Sequence, residues 1–330
     1  MTDCLVTGGG GFIGLALVQA LCRQGRKVRV LGRHHSPAAA AAGAVCVQAD
    51  IRDPAAVRQA AAGCATVFHV AAKAGIWGSY HEYHSINLLG TRNVLAACVA
   101  QAVPVLVYTS TPSVVFNGYD LEGADETTPY SSQPLCHYAA TKIRAEQAVI
   151  QANSGPLRST AIRPHLVWGP GDTNLIPRLL ARGREGSLRI VGSGTNRVDL
   201  TYIDNVVHAH ILAEENLHGR GTAAGKAFFI GQQEPVQLWP WVNALFARMN
   251  VPQVTKRISL RQAKAVGWLL ETVYAALRRE REPKMTRFLA EQLALSHWFS
   301  KEQAAKLLGY SEQVSTAEGM ERLVAWLRQA

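Results

Sequence analysis

Tyr138 and Lys142 stand four residues apart in His137-Tyr138-Ala139-Ala140-Thr141-Lys142. On a helix that spacing puts both side chains on one face. An ammonium beside a phenol favours phenolate and lowers a pKa that starts at about 10. Such a phenol can exchange a proton at neutral pH with an alcohol or a developing alkoxide. The run Tyr108-Thr109-Ser110-Thr111-Pro112-Ser113 adds hydroxyls that could hydrogen-bond the reacting oxygen. Further upstream, Thr7-Gly8-Gly9-Gly10-Gly11-Phe12-Ile13-Gly14 directly follows an apolar run and opens a helical pattern. Glycine dihedrals permit a tight turn there, and the helix N-terminus carries the partial positive charge that a pyrophosphate seeks. A further glycine lets helix and strand pack closely.

These groups need a scaffold that brings residues far apart in sequence to one edge. Short apolar runs at 3–7, 27–31, 44–48, 66–70, 104–109 and 159–163 read as strands. Helical patterns fall between them, near 12–24, 54–62, 85–101 and 138–152. The alternation predicts an α/β fold, a doubly wound, Rossmann-type parallel sheet with helices on both faces. Such sheets bind ligands at the carboxyl ends of their strands. After Pro164 turn formers cluster in Trp168-Gly169-Pro170-Gly171-Asp172 and Gly192-Ser193-Gly194-Thr195. Helical patterns follow near 203–217, 237–249, 259–279, 300–308 and 315–328. The expectation is a dinucleotide-binding domain over 1–163 and a smaller, mixed α/β, mostly helical substrate cap over 164–330. Part of 203–232 is expected to return to the first domain.

The end of the second strand says which dinucleotide. In Val28-Arg29-Val30-Leu31-Gly32-Arg33-His34-His35 a basic cluster stands where an acid would accept from the ribose 2′-hydroxyl of NAD. Gly32 gives room, and the planar fork of Arg33 can pair with a 2′-phosphate. The expected cofactor is therefore NADPH, with His34 or His35 assisting; the plainer alternative is a solvated basic turn.

Composition bounds the rest. The 330 residues are 48% hydrophobic and carry a net charge of +10. That is enough for one large or two joined domains and favours an anionic ligand or surface. No basic run or recognition motif points to nucleic acid. The six cysteines form no CxxC pair and read as reduced thiols in a cytoplasmic protein. Uncharged stretches at 4–22 and 93–119 are broken by Gly8–Gly11, Pro104 and Pro112, so they read as sheet core rather than a signal peptide or membrane span. His81-Glu82-Tyr83-His84 is one residue short of HExxH, and His208 and His210 would leave a helix on different sides, so no metal is expected.

The glycine spacing Gly8-x-x-Gly11-x-x-Gly14 with Phe12-Ile13 resembles the extended short-chain dehydrogenase/reductase family. The resemblance spans nearly the whole chain. It implies that Tyr138 is the proton donor, that Lys142 tunes it and holds cofactor ribose, and that Thr111, with Ser110 as second choice, orients the reacting oxygen. It implies that Asn87, in Ile86-Asn87-Leu88, supports the catalytic helix and a proton relay, with a helix cap as the alternative. It places Asp50, in Asp50-Ile51, at the adenine. Ala71 and Ala72 of His69-Val70-Ala71-Ala72 fall beside the nicotinamide half. Ile162-Arg163-Pro164 with Trp168-Gly169-Pro170-Gly171-Asp172 resembles the family's RPxxVYGPGD, with Trp168 in place of the usual Tyr.

Arg197-Val198-Asp199-Leu200-Thr201-Tyr202-Ile203-Asp204-Asn205 and Gly225-Lys226-Ala227-Phe228-Phe229-Ile230-Gly231 are similar to the 3β-hydroxysteroid dehydrogenase branch. Within it the chain most resembles bacterial 2-alkyl-3-oxoalkanoate reductases of long-chain olefin biosynthesis. A lipid-like β-keto acid is then the implied substrate, and partnership with the other enzymes of that route is implied by the resemblance alone. A homodimer is one option for the oligomeric state. Among Arg178, Arg182, Arg197 and His165, Arg197 is the preferred partner for the substrate carboxylate. Trp77 lines the alkyl pocket or sits in the core. The alternatives are a 3β-hydroxysteroid or sterol-4-carboxylate 3-dehydrogenase, a nucleotide-sugar epimerase, and a non-enzymatic NADP sensor. Leu260, Ala263, Val266, Leu269, Leu270, Val273 and Leu277 fall near helical spacing and precede Arg278-Arg279-Glu280-Arg281-Glu282. Such a stripe most often packs on its own domain. A lid, a partner surface and a peripheral membrane contact are its other readings.

Overall fold

Apolar runs that must hide both faces make parallel sheets, and this chain makes one of seven strands. The computed structural model describes residues 2–153 and 155–329. The first five strands are β1 (Thr2–Thr7), β2 (Val28–Gly32), β3 (Val45–Gln48), β4 (Cys64–His69) and β5 (Val105–Thr109). Across the sheet the order is Ala227–Ile230, Arg158–Pro164, β5, β4, β1, β2, β3. Every pairing in it is parallel. The strand order reverses direction between β1 and β4, the place where open α/β sheets leave a crevice.

Alternate residues of one strand feed different cores. Cys4 and Val6 pack with Leu17, Val18 and Leu21 of the helix Phe12–Arg23 and with Val207 and Ala213 of the helix Ile203–His218. Leu5 packs on the other face, with Val57, Val94, Ala97 and Val149. Between Tyr83 and Gly90 the backbone widens into a π-helix, His84–Leu89, before continuing as the helix Gly90–Ala100. Such insertions are frequent at functional sites.

A third core lies in the second half. Trp168, Tyr202, Trp241 and Phe246 are buried there with Met320 and Leu323. Trp168 meets Tyr202 and Trp241 edge-on, with ring centroids 5.3 and 5.1 Å apart. A small mixed sheet of Leu121–Ala124, His297–Phe299, Arg197–Val198 and Val236–Gln237 adjoins it.

Two helices here lay outside the expectation. Leu175–Arg184 carries Pro177 and Gly183, which hide its period. Its start is fixed by the Asp172 carboxylate, which accepts from the backbone of Asn174, Leu175 and Ile176 at 2.7, 3.1 and 2.9 Å. Gly183 is required because a Cβ there would lie 2.5 Å from the Phe246 ring. Arg287–Ala294 is short and capped by Thr286. No helix among the described residues is long and apolar enough to cross a membrane.

Candidate active site

The glycine loop, the ends of β1, β2 and β4, the helix His137–Gln151 and the helix Leu175–Arg184 enclose one cleft of about 780 Å3. Gly8, Gly11, Phe12, Ile13, Gly14, Arg33, Asp50, Ile51, Ala71, Ala72, Thr111, Tyr138, Lys142, Pro164 and His165 all line it. Asn87, Trp77 and Arg197 do not.

The loop is shaped for close approach. Gly8 turns with φ +71°, and a Cβ on it would lie 2.8 Å from the Ala71 backbone. A Cβ on Gly14 would run into the Gly8 carbonyl. Gly11 caps the helix Phe12–Arg23 without a side chain, so the cap itself makes no side-chain hydrogen bond to the first-turn N–H groups. That is a ready anion site. Arg33 is exposed at the end of β2 where it borders the cleft. Asp50 is tied to Arg52, with Nη2 to Oδ2 at 2.6 Å. Hydrogen bonding from Arg52 holds its carboxyl below the ordinary range. Glycine cradle, helix N-terminus and basic strand end together fit a dinucleotide.

The helix His137–Gln151 contains neither Pro nor Gly and is rich in Ala, which favours it locally. It presents Tyr138 and Lys142 together, yet the expected coupling between them is not what sets the phenol. Burial pushes Tyr138 up to about 12, and hydrogen bonding with Thr111 pulls the other way. Lys142 Nζ instead donates to the Thr109 carbonyl at 2.7 Å and rests 4.1 Å from the Tyr108 ring centre. Burial lowers this ammonium to about 7, opposed by Glu146. Tyr138 therefore holds its proton at neutral pH and can give it to a developing alkoxide.

The hydroxyl run divides by partner. Thr109 Oγ1 lies 2.7 Å from His210 Nε2, and His210 Nδ1 is 2.8 Å from the Val206 carbonyl. A carbonyl only accepts, so Nδ1 carries the proton and Thr109 donates to Nε2. Ser110 Oγ is buried at the cleft without a hydrogen-bond partner among the described residues. Thr111 Oγ1 accepts from the Ser113 amide at 3.2 Å and bonds with the Ser113 hydroxyl. Asn87 sits in the π-helix. Its Oδ1 accepts from the Lys73 amide at 2.7 Å, and its Nδ2 donates to the Lys73 carbonyl at 3.1 Å and to Thr141 Oγ1 at 3.3 Å. It thus clips the loop after β4 to the Tyr138 helix, one residue from Lys142. Removing it takes away the partner of a part-buried N–H and C=O of Lys73. Asn87→Ala is expected to lower stability by about 1–2 kcal/mol, read from a denaturant melt, and to lower kcat with it.

Three substrate expectations need correction. Arg197 points away from the cleft: it is 3.8 Å from Glu234 and stacks over Trp298. In a strand adjacent side chains face opposite ways, and here Val198 takes the inward place. Arg178 and Arg182 line the cleft instead, four apart on one helix face with Leu175 and Leu179. Trp77 enters neither the pocket nor the core. Its Nε1 donates to the Arg279 carbonyl at 3.0 Å, and its ring meets Tyr274 edge-on. Ile76 lines the cleft beside it.

His165 lines the cleft but carries no charge for a carboxylate. Its Nε2 is 2.6 Å from His297 Nδ1, and His297 Nε2 is 2.8 Å from the Gln292 carbonyl. The carbonyl fixes the proton on His297 Nε2, so His165 Nε2 is the donor and its Nδ1 an acceptor. Burial pushes both imidazoles below the ordinary range. The next residue, Leu166, adopts φ +41°, a conformation disfavoured for a branched side chain.

The reading from sequence missed Phe288, Leu289 and Leu293, which bring an apolar wall from the helix Arg287–Ala294. Leu289 and Leu293 are four apart, a signal too short to stand alone. It also missed Glu282, which faces Arg178 at 3.2 Å across the cleft.

Residues 5–261 match the 3-beta hydroxysteroid dehydrogenase/isomerase family. The chain belongs to that family. It is an extended short-chain dehydrogenase/reductase, an oxidoreductase acting at a CH–OH or C=O carbon, as its motifs led one to expect. It is 49% identical over 324 residues to a 2-alkyl-3-oxoalkanoate reductase of Stenotrophomonas maltophilia (strain K279a), covering 97% of this chain and 98% of that one. It is 33% identical over 330 residues to a sterol-4-alpha-carboxylate 3-dehydrogenase, decarboxylating, of Mus musculus, covering 97% and 90%. Among solved structures, MoeE5 in complex with UDP-glucose and NAD superposes with a TM-score of 0.75 at 25% identity, covering 99% of each chain.

Proposed function

We propose that the protein is an NADPH-dependent reductase that converts a 2-alkyl-3-oxoalkanoate to the 2-alkyl-3-hydroxyalkanoate, a step of long-chain olefin assembly. The observation that carries this reading is one cleft lined by the Tyr138 phenol, by Arg178 and Arg182, and by the apolar wall of Phe288, Leu289 and Leu293. When bound, NADPH supplies the hydride for the 3-oxo carbon. Tyr138 gives its proton to the oxygen, and Thr111 orients that oxygen by hydrogen bonding. Lys142 holds cofactor ribose. Arg178 and Arg182 hold the carboxylate, and Phe288, Leu289 and Leu293 receive the alkyl chains. Residues 1–163 serve as the cofactor domain and 164–330 as the substrate cap; the place of Ala227–Ile230 in the seven-stranded sheet supports a return of part of 203–232 to the former. Six free cysteines support a reducing, cytoplasmic setting.

A β-keto acid decarboxylates readily, so the assay runs in reverse. Stable 2-alkyl-3-hydroxy acids with NADP+ are expected to raise reduced-nicotinamide absorbance. Turnover restricted to a 3β-hydroxysterol-4-carboxylate would instead favour the sterol reading, which the murine relative supports. Turnover of neither, with interconversion of nucleotide sugars, would favour an epimerase. Within the main reading, Arg178→Ala should raise KM for the acid by about tenfold, and leave KM for its methyl ester unchanged. An equal rise for both would remove Arg178 from carboxylate binding.

A further inference from the structure

The hydroxyls at the end of β5 and the apolar wall of the cleft belong to different elements, and a row of four rings joins them. His165 meets His297 with ring centroids 4.7 Å apart, His297 meets Phe116 at 6.2 Å, and Phe116 meets Phe288 at 5.9 Å. The interplanar angles are 84°, 89° and 81°, so each ring stands edge-on to the next, a favoured geometry. Both ends of the row, His165 and Phe288, line the cleft. Its middle members, His297 and Phe116, are buried behind. The first end is fixed beside the hydroxyl run. His165 follows the strand Arg158–Pro164, whose Ile162 carbonyl accepts from the Ser110 amide at 2.6 Å. The His165 carbonyl accepts from the Thr201 amide at 3.0 Å and from Thr201 Oγ1 at 2.8 Å.

Hydrogen bonds run along the same path. The last carbonyls of a helix lack partners within it and need them from elsewhere. In the helix Arg287–Ala294 the amide that would serve the Gln292 carbonyl is that of Ser296, and Asp120 Oδ1 takes it at 2.6 Å. The Gln292 carbonyl is left to His297 Nε2, 2.8 Å away. His297 Nδ1 in turn accepts from His165 Nε2 at 2.6 Å. A neutral imidazole has one donor and one acceptor, and His297 spends both on this link. Gln292 shares its short helix with Phe288, Leu289 and Leu293, the residues of the wall. One buried side chain therefore holds the last turn of the wall helix and ties it to the loop at the reacting end.

We propose that His297 is a positioning residue that sets the spacing between the reacting end of the cleft and its apolar wall, and with it the alkyl length that the cleft prefers. The inference rests on the reductase reading. The test compares kcat/KM for two 2-alkyl-3-hydroxy acids with NADP+, one with long alkyl chains and one with short. Their ratio cancels any general loss of activity. His297→Phe keeps a ring in the row and deletes both hydrogen bonds. Because one methylene in a fitted apolar pocket is worth about 10–200-fold, it should lower the long-over-short ratio about tenfold or more. Cofactor affinity, read by fluorescence titration, should equal that of wild type. His297→Gln keeps an acceptor and an N–H donor and should hold the ratio within about threefold of wild type. Phe116→Leu breaks the row at its next member and leaves the hydrogen bonds. It too should lower the ratio, and it carries the test if His297→Phe does not fold. A wild-type ratio in folded His297→Phe overturns the proposal; where only Phe116→Leu folds, a wild-type ratio there does so. A Gln variant that loses as much as the Phe variant also overturns it. Wild-type protein that turns over neither acid removes the reductase reading and this proposal with it. Turnover of both acids, at a ratio the variants leave alone, removes the proposal only.

Discussion

Tyr138→Phe should lower kcat by about 10²–10⁴-fold while leaving NADPH affinity unchanged. The substitution deletes one oxygen from a ring that stays in place between the cleft and Tyr83. The reducing equivalent still arrives, but the new alkoxide has lost the phenol that would protonate it. Burial that keeps Tyr138 protonated to about pH 12 makes the native residue an acid throughout the neutral range. Single-turnover oxidation of NADPH measures the loss, and a fluorescence titration measures cofactor affinity. Activity close to wild type in the variant would sink the assignment of Tyr138.

Arg33→Ala should weaken NADPH by about 2–3 kcal/mol, roughly 30–150-fold, and NADH hardly at all. The guanidinium is exposed at the end of β2, beyond Gly32, and lines the cleft. The nearby Asp50 is already bonded to Arg52. A fork-shaped cation there suits the 2′-phosphate of the proposed cofactor. Equal losses for NADPH and NADH, measured by titration of the apoprotein, would return Arg33 to an ordinary solvated turn.

Much of this was legible because it depends on local rules. The strands announced themselves as apolar runs, since both faces of each are covered: Leu5 in one core, Cys4 and Val6 in another. The glycine loop was legible because Gly14 must pass close to the Gly8 carbonyl, which no other residue type allows. What escaped were contacts made across long separations. Arg197 was preferred over Arg178 and Arg182 because nothing local tells which arginine of a cap faces inward. The apolar stripe of Leu260–Ala276 carries the same periodicity whether it meets core or solvent, and sequence favoured the core. The Lys142–Tyr138 pair was legible in spacing, but not the diversion of the ammonium to the Thr109 carbonyl, which comes from another strand. Nor did the pattern around Asn87 disclose that its helix widens to a π turn there.

The third core has a consequence for how the chain is made. Trp168 and Tyr202 are packed beneath Gly319, where a Cβ would lie 2.9 Å from one ring and 2.7 Å from the other. Met320, Leu323 and Val324 complete that core around Trp239 and Phe246. A ribosome that has delivered residue 300 has therefore released Trp168 and Tyr202 without the helix that packs over their rings. The sheet can assemble once residue 230 has emerged, but these aromatics must wait for the helix Thr316–Gln329. During that interval the nascent protein displays its largest apolar side chains, and that is when a chaperone would find it.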